Sequence, residues 1–161
     1  MTTQRAPDDF AFEPEFVEGL KDIFENRIVF NRVLGLKITR LHAEGAEGRI
    51  AMKPELVGHF AHNRLHGGVI SATLDSMGGL AVMAAMGARH MDDAPLQRLQ
   101  RFGKLGTIDL RIDYLRPAIG DHFELRALVL RLGSRVASTR MEFLSIDGKL
   151  FAAGSGAYII S

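Results

Sequence analysis

At 161 residues, with 47% hydrophobic and 24% charged side chains, the chain has the composition of one ordinary globular unit and not of a disordered polymer. A formal net charge of +1 gives no global field for nucleic acid, and the lack of any cysteine excludes disulfides and thiol chemistry, which suits a reducing compartment. The N-terminal residues carry neither an apolar signal core nor an arginine-rich amphipathic pattern, so the expected location is the cytoplasm.

Residues 1–9 are polar and read as loosely held. Over residues 10–26, Phe16, Leu20, Ile23 and Phe24 recur at helical spacing, with Pro14 acceptable near the start, so this segment predicts a helix packed as a flap or outer layer. An apolar turn over 28–34 ends at Gly35. Residues 1–34 thus form a helical extension, and 35–161 the main domain. Residues 36–43 and 46–52 read as two short strands around a Glu44-Gly45 turn, stopped by Lys53-Pro54-Glu55.

The segment 56–65 reads as a loop that brings His59 and His62 close to His66. Three histidines invite a metal, yet there is no HExxH pattern and no carboxylate at a familiar offset, so hydrogen-bonding or loop histidines are expected and no metal site.

The stretch 66–88 organises the rest. It is apolar nearly all the way round and predicts a long buried helix. It approaches the length of a membrane span, but Asp75, the glycines and the hydroxyl residues dilute it, so a core helix and no membrane association are expected. One small sheet is not expected to cover such a helix, which predicts that a second subunit supplies the rest. Asp75 is its only ionisable side chain after His66. A lone carboxylate on a buried helix is costly unless hydrogen-bonded or functional, and its neighbours at spacings of three and four, Ser71, Ala72, Gly78 and Gly79, leave room beside it for a ligand. Gly67 and Gly68 open the helix, where free N–H groups and the dipole suit a partial negative charge.

Residues 89–104 read as a polar connection, either a solvated loop or, through Arg98, Arg101 and Lys104, a phosphate-contacting one. Residues 105–115 alternate strictly, with Ile108, Leu110, Ile112 and Tyr114 on one side and Thr107, Asp109, Arg111 and Asp113 on the other, which predicts a half-exposed strand. Residues 122–131, 135–145 and 150–160 follow as strands joined by short turns. The order implies an α+β fold in which an antiparallel sheet curls around one helix.

Leu65-His66-Gly67-Gly68-Val69-Ile70 with Asp75, Gly106-Thr107-Ile108-Asp109-Leu110 and Asp113-Tyr114-Leu115-Arg116-Pro117-Ala118 together resemble the hotdog-fold acyl-CoA thioesterases of the phenylacetate-degradation (PaaI-like) type, from about residue 34 onwards. The resemblance implies a five- or six-stranded sheet around the central helix, assembly as a homodimer or homotetramer, and active sites between subunits. It implies Asp75 as nucleophile or general base, the Gly67 N–H as carbonyl polariser, His66 as support for that loop, and Thr107 as the hydroxyl that orients the water or carboxylate. Substrate contacts would come from Gly68, Val69, Pro117 and Gly133, with Arg116 and Arg135 meeting phosphates. Where many relatives carry an Asn before the His-Gly-Gly, this chain has His59, and Asn63 lies nearer His66; either residue, or neither, would take over its role. No cofactor is implied beyond the coenzyme A of the substrate. Hydrolysis of an acyl-CoA to a free acid and CoA is the leading reading. A non-catalytic acyl-CoA-binding or sensor protein is the alternative, with a hydratase or dehydratase behind both.

Overall fold

A computed structural model describes residues 10–161; the stretch 1–9, expected to be loosely held, lies outside them. The helical elements are α1 (Pro14–Lys21), a π-helical turn (Asp22–Arg27), α2 (Val29–Leu34), α3 (Gly67–Arg89) and α4 (Pro95–Gln100). The strands are β1 (Lys37–His42), β2 (Gly45–Ala51), β3 (Val57–His59), β4 (Arg64–Leu65), β5 (Gly106–Tyr114), β6 (His122–Leu132), β7 (Val136–Ser145) and β8 (Leu150–Ile159). Six strands form one antiparallel sheet in the order β1-β2-β6-β7-β8-β5, and β3 pairs with β4 alone.

Period-two patterning builds the sheet. On β6, Phe123, Leu125 and Ala127 are buried while His122, Arg126 and Leu128 face out; on β7, Ala137, Thr139, Met141 and Phe143 are the buried set. Each fully buried Phe, Leu or Met contributes roughly 1.5–3 kcal/mol. The buried rows pack on α3, which touches β6, β2, β7, β5, β8 and β1. The strands lie where the sequence puts them to within a residue or so. The first hairpin turns on Ala43-Glu44 instead of Glu44-Gly45, since Gly45 already pairs with His42.

The expectation that a second subunit must cover α3 fails. Leu74, Met77, Leu80, Ala81, Val82, Met83 and Ala84 are wholly buried within one chain. The reason lies in the N-terminal segment, which runs antiparallel along the side of α3 away from the sheet. Phe16 seats against Gly87, Phe24 lies beside Gly79, and the Asn31 side chain accepts a hydrogen bond from the Ser76 hydroxyl at 2.8 Å. Phe16, Leu20 and Phe24 are therefore core residues. The apolar stretch 28–34 is a helix, α2, closed by Gly35 in the left-handed conformation at φ 73°. By length and composition α3 could cross a membrane, but 78% of its most apolar window is buried inside this fold.

Residues 89–104 also differ from the polar connection that was expected. They form α4 and a 3-10 turn (Arg101–Lys104). Arg98 is 1% exposed; its guanidinium reaches the Glu13 carboxylate at 2.6 Å, lies 4.6 Å above the centre of the Phe16 ring and donates to the Gly87 carbonyl. Such a buried, paired arginine ties α4 to the start of α1 and is not free for phosphate. Arg101 pairs with Asp93 at 2.8 Å, and Lys104 is exposed.

Candidate active site

The His-Gly-Gly turn is held by elements distant in sequence. β3 and β4, in the segment expected to be a plain loop, deliver the chain to His66, whose N–H donates to the Leu56 carbonyl; Leu65 N–H donates to that of Ala118. Gly58 makes the approach possible, because a Cβ there would stand 2.5 Å from His66 Cα. His66 caps α3: its Nδ1 accepts the Gly68 N–H at 2.8 Å. On the other side the Tyr114 hydroxyl donates to the Gly67 carbonyl at 3.0 Å. The Gly67–Gly68 peptide is thus fixed from both ends. The Gly67 N–H, at the first helical position, has no intrahelical acceptor and finds none among the described residues.

Asp75 lies two turns further along α3. Its Oδ1 accepts from the Thr107 hydroxyl at 2.9 Å, and the Tyr158 hydroxyl stands 2.9 Å from the Asp75 carbonyl oxygen and 3.3 Å from Oδ1. Oδ2 has no hydrogen-bond partner among the described residues. Burial, followed by the Asp75 charge and hydrogen bond, pushes the Tyr158 hydroxyl well above the ordinary tyrosine range, so it stays protonated as a donor.

Thr107 reaches this face through a bulge. The ladder steps from Thr107↔Tyr158 to Asp109↔Ala157, so Ile108 is an extra residue that shifts the alternation by one. Thr107 therefore shares the helix-facing side with Leu110, Ile112 and Tyr114, not the opposite side that strict alternation predicts.

The remaining candidates fall at separate places. Gly67, Gly68, Tyr114, Arg116 and Pro117 gather at the C-terminal end of β5, where Arg116 donates to the Leu150 carbonyl. Asp75, Thr107, Tyr158 and the Gly133–Arg135 turn lie towards its N-terminal end, where the Arg135 carbonyl accepts from Ile160 N–H. From Thr107 to Tyr114 the strand covers about 20 Å. Gly67 and Asp75 are separated by about 12 Å along the axis of α3. One carbonyl group cannot meet both within a single chain.

Val69 is buried in the core, and Gly68 is exposed. His59 stacks on His62 at 4.9 Å and on Phe60 at 6.0 Å, with Nδ1 enclosed and unpartnered, while Asn63 occupies a left-handed turn position, φ 47°. Among the described residues no group of three or more His, Asp or Glu side chains converges as metal ligands. Sequence reasoning gave no role to Tyr114 or Tyr158. The available signal was composition: the chain has two tyrosines, and a buried tyrosine hydroxyl usually finds a partner.

Comparison with known proteins gives the family and the fold. Residues 62–152 match the Thioesterase superfamily. The chain is 35% identical over 139 residues to the medium/long-chain acyl-CoA thioesterase YigI of Escherichia coli strain K12, covering 86% of this chain and 90% of that one. A crystal structure from Shewanella oneidensis, described as related to the thioesterase superfamily, superposes with a TM-score of 0.83 at 40% identity, over 93% of this chain and all of that one. A mutant of the phenylacetic acid degradation protein PaaI from Thermus thermophilus gives 0.64 at 27% identity, over 83% of this chain and 99% of its own. With a six-stranded antiparallel sheet wrapped around one long helix and a match over more than half its length, the chain belongs to the thioesterase superfamily and has the hotdog fold.

Proposed function

We propose that the protein hydrolyses acyl-CoA thioesters of medium or long chain length, at sites shared between two copies of the chain in the manner of the PaaI-like His-Gly-Gly enzymes. The observation that carries this reading is the Asp75 carboxylate, with Oδ1 held by the Thr107 hydroxyl and Oδ2 left open. The name of the Escherichia coli relative supports the substrate class.

Asp75 is the general base. Were it the nucleophile, the tetrahedral adduct would hold a carboxylate and a thiolate as competing leaving groups, and a carboxylate, the better leaving group, would depart first and return to reactants. In the proposed reaction Oδ2 takes a proton from water as the water oxygen bonds to the thioester carbon. The carbonyl oxygen becomes an oxyanion facing the Gly67 N–H of the other copy, where the helix dipole and a fixed donor stabilise it. Collapse breaks the C–S bond; the proton returns to sulfur, giving CoA and the free acid. Two copies are required because Gly67 and Asp75 of one chain stand about 12 Å apart along α3. Arg116 and Arg135 would meet CoA phosphates from opposite ends of β5.

Thiol release from a panel of acyl-CoAs is the test, with Asp75→Asn alongside. Turnover should fall about a hundredfold or more on loss of a general base. The melting temperature should hold, because Asn Oδ1 can still accept from Thr107 and Tyr158. A stable Asp75→Asn protein that hydrolyses at the wild-type rate removes Asp75 from the mechanism. A wild-type protein that binds acyl-CoA without hydrolysing it favours the binding or sensor reading.

A further inference from the structure

Gly67 is a soft place for an oxyanion donor. A glycine at the first helical position has no Cβ to restrict its backbone, and its N–H is one that the helix leaves without an acceptor. The peptide before it is tied by the His66 N–H to the Leu56 carbonyl and by the His66 carbonyl, which accepts from the Val69 N–H at 3.0 Å. The peptide after it is tied by the Gly68 N–H to His66 Nδ1 at 2.8 Å and by the Gly67 carbonyl to the Tyr114 hydroxyl at 3.0 Å. Three of these ties come from the turn itself or from the segment leading into it, and the fourth reaches in from the main sheet. The Tyr114 ring also lies against the turn, since a Cβ on Gly67 would stand 3.2 Å from it. Tyr114 is 54% exposed, so water is at hand for its hydroxyl, and burial does not explain why the hydroxyl is committed to a backbone carbonyl.

The same strand also holds the other half of the chemistry. β5 carries Thr107, which donates to Asp75, and Tyr114, which donates to Gly67. The two are an odd number of positions apart, so in a regular strand they would point to opposite faces of the sheet. The bulge at Ile108 removes that conflict: Thr107 lies opposite Tyr158 and Tyr114 opposite Ala152, on the side that faces α3. The lengths differ as well, about 20 Å along the strand against about 12 Å along the helix. A short hydroxyl suffices where strand and carboxylate meet. At the far end the donor must reach back, and a phenol is a long, rigid side chain with its donor at the tip.

We propose that Tyr114 is a positioning residue for thioester hydrolysis, clamping Gly67 so that its N–H stays aimed at the carbonyl oxygen, and that the Ile108 bulge lets one strand position both the oxyanion donor and the carboxylate. The proposal rests on the thioesterase reading above and deepens it. A site that takes Gly67 from one copy and Asp75 from the other has each β5 holding the donor of one site and the base of the second.

The experiment uses full-length protein, dodecanoyl-CoA as substrate and the thioether dodecyl-CoA, which has no carbonyl oxygen, as binding probe. Tyr114→Phe keeps the ring and removes the donor. Loss of an oxyanion-hole donor costs about a hundredfold to a thousandfold in kcat, and Tyr114 acts one bond removed from that donor, so its kcat should fall about tenfold to a hundredfold. KM, thioether affinity and melting temperature should stay at wild-type values, because the ring remains and water replaces the exposed hydroxyl. Replacing Tyr114 by 4-aminophenylalanine, which restores an N–H at the tip of the ring, should recover most of the lost kcat. Asp113→Asn, next door on the opposite face of β5, should turn over as wild type. A Tyr114→Phe protein with wild-type kcat overturns the proposal and spares the thioesterase reading. So does a loss of kcat that comes with equal losses of thioether affinity and melting temperature, or that Asp113→Asn reproduces, since either marks a general disturbance of the strand. If the wild type hydrolyses no acyl-CoA, the thioesterase reading falls and the role of Tyr114 falls with it.

Discussion

Asp75 carries less burial than its helix suggests: it is half-buried, at a seam where α3 meets β5 and β8, and two hydroxyls share its polar needs. Tyr158→Phe removes one of them and leaves the Asp75 carbonyl without that donor. Loss of such a buried hydrogen bond costs about 1 kcal/mol, and turnover should fall several-fold, far less than for Asp75→Asn, because Thr107 still holds Oδ1. A Tyr158→Phe enzyme as inactive as Asp75→Asn would make the tyrosine a catalytic group in its own right. At the other end of the molecule, the hydrogen bond from the Arg98 guanidinium, aided by its charge, holds the Glu13 carboxyl below its ordinary value of 4.5. A depressed carboxylate contributes stability that is complete above the unfolded pKa and is lost as pH falls through the folded one. Glu13→Gln should accordingly melt below wild type at neutral pH, with the two melting curves converging as the pH drops beneath 4.5. Parallel curves across that window would show that the pair contributes nothing through titration.

Among the elements, the β3–β4 hairpin has the most specific task, since it presses against the His66 backbone. Gly58→Ala drives a Cβ to 2.5 Å from His66 Cα and 3.0 Å from its nitrogen, and neither backbone atom can move without shifting the helix cap. Overpacking of this kind costs typically about 1–3 kcal/mol. We expect lower thermal stability and at least a tenfold loss of kcat, whereas Gly103→Ala, with nothing within 4 Å of the new Cβ, should behave as wild type. Equal behaviour of the two variants would mean that the cap tolerates displacement. The bulge in β5 acts at the same scale. One additional residue brings Thr107 round to the carboxylate while the rest of the strand keeps its register on β8.

For the whole molecule, β5 closes one end of the sheet with one edge unpaired and both faces poorly covered: Ile108 is 56% exposed and Tyr114 54%. A long edge strand with apolar side chains is a template for pairing with another chain. The two ends of the candidate site also lie too far apart to act within one chain. The protein should therefore be a homodimer or a dimer of dimers in solution, and the Asp75→Asn variant mixed with a Gly58→Ala variant should regain part of the lost activity through hybrid sites. A monomer by light scattering at micromolar concentration, with full activity, would refute the shared site.

The sequence by itself determined what depends on local periodicity. Alternation marked the six main strands, an apolar run of helical length marked α3, and the paired glycines after His66 together with a lone acid marked both ends of the candidate site, because each of these signals is written over neighbouring residues. Only the tertiary structure decided which distant side chains meet. Thr107 faces Asp75 because of a bulge that alternation cannot reveal, and Tyr158 reaches it across the ladder from the last strand. Arg98 looks like a solvated charge in a polar stretch, yet it is buried because Glu13 and Phe16 come from far along the chain to receive it. The cover over α3 came from the N-terminal segment of the same chain, since a helix apolar all round specifies that it must be buried but not by what.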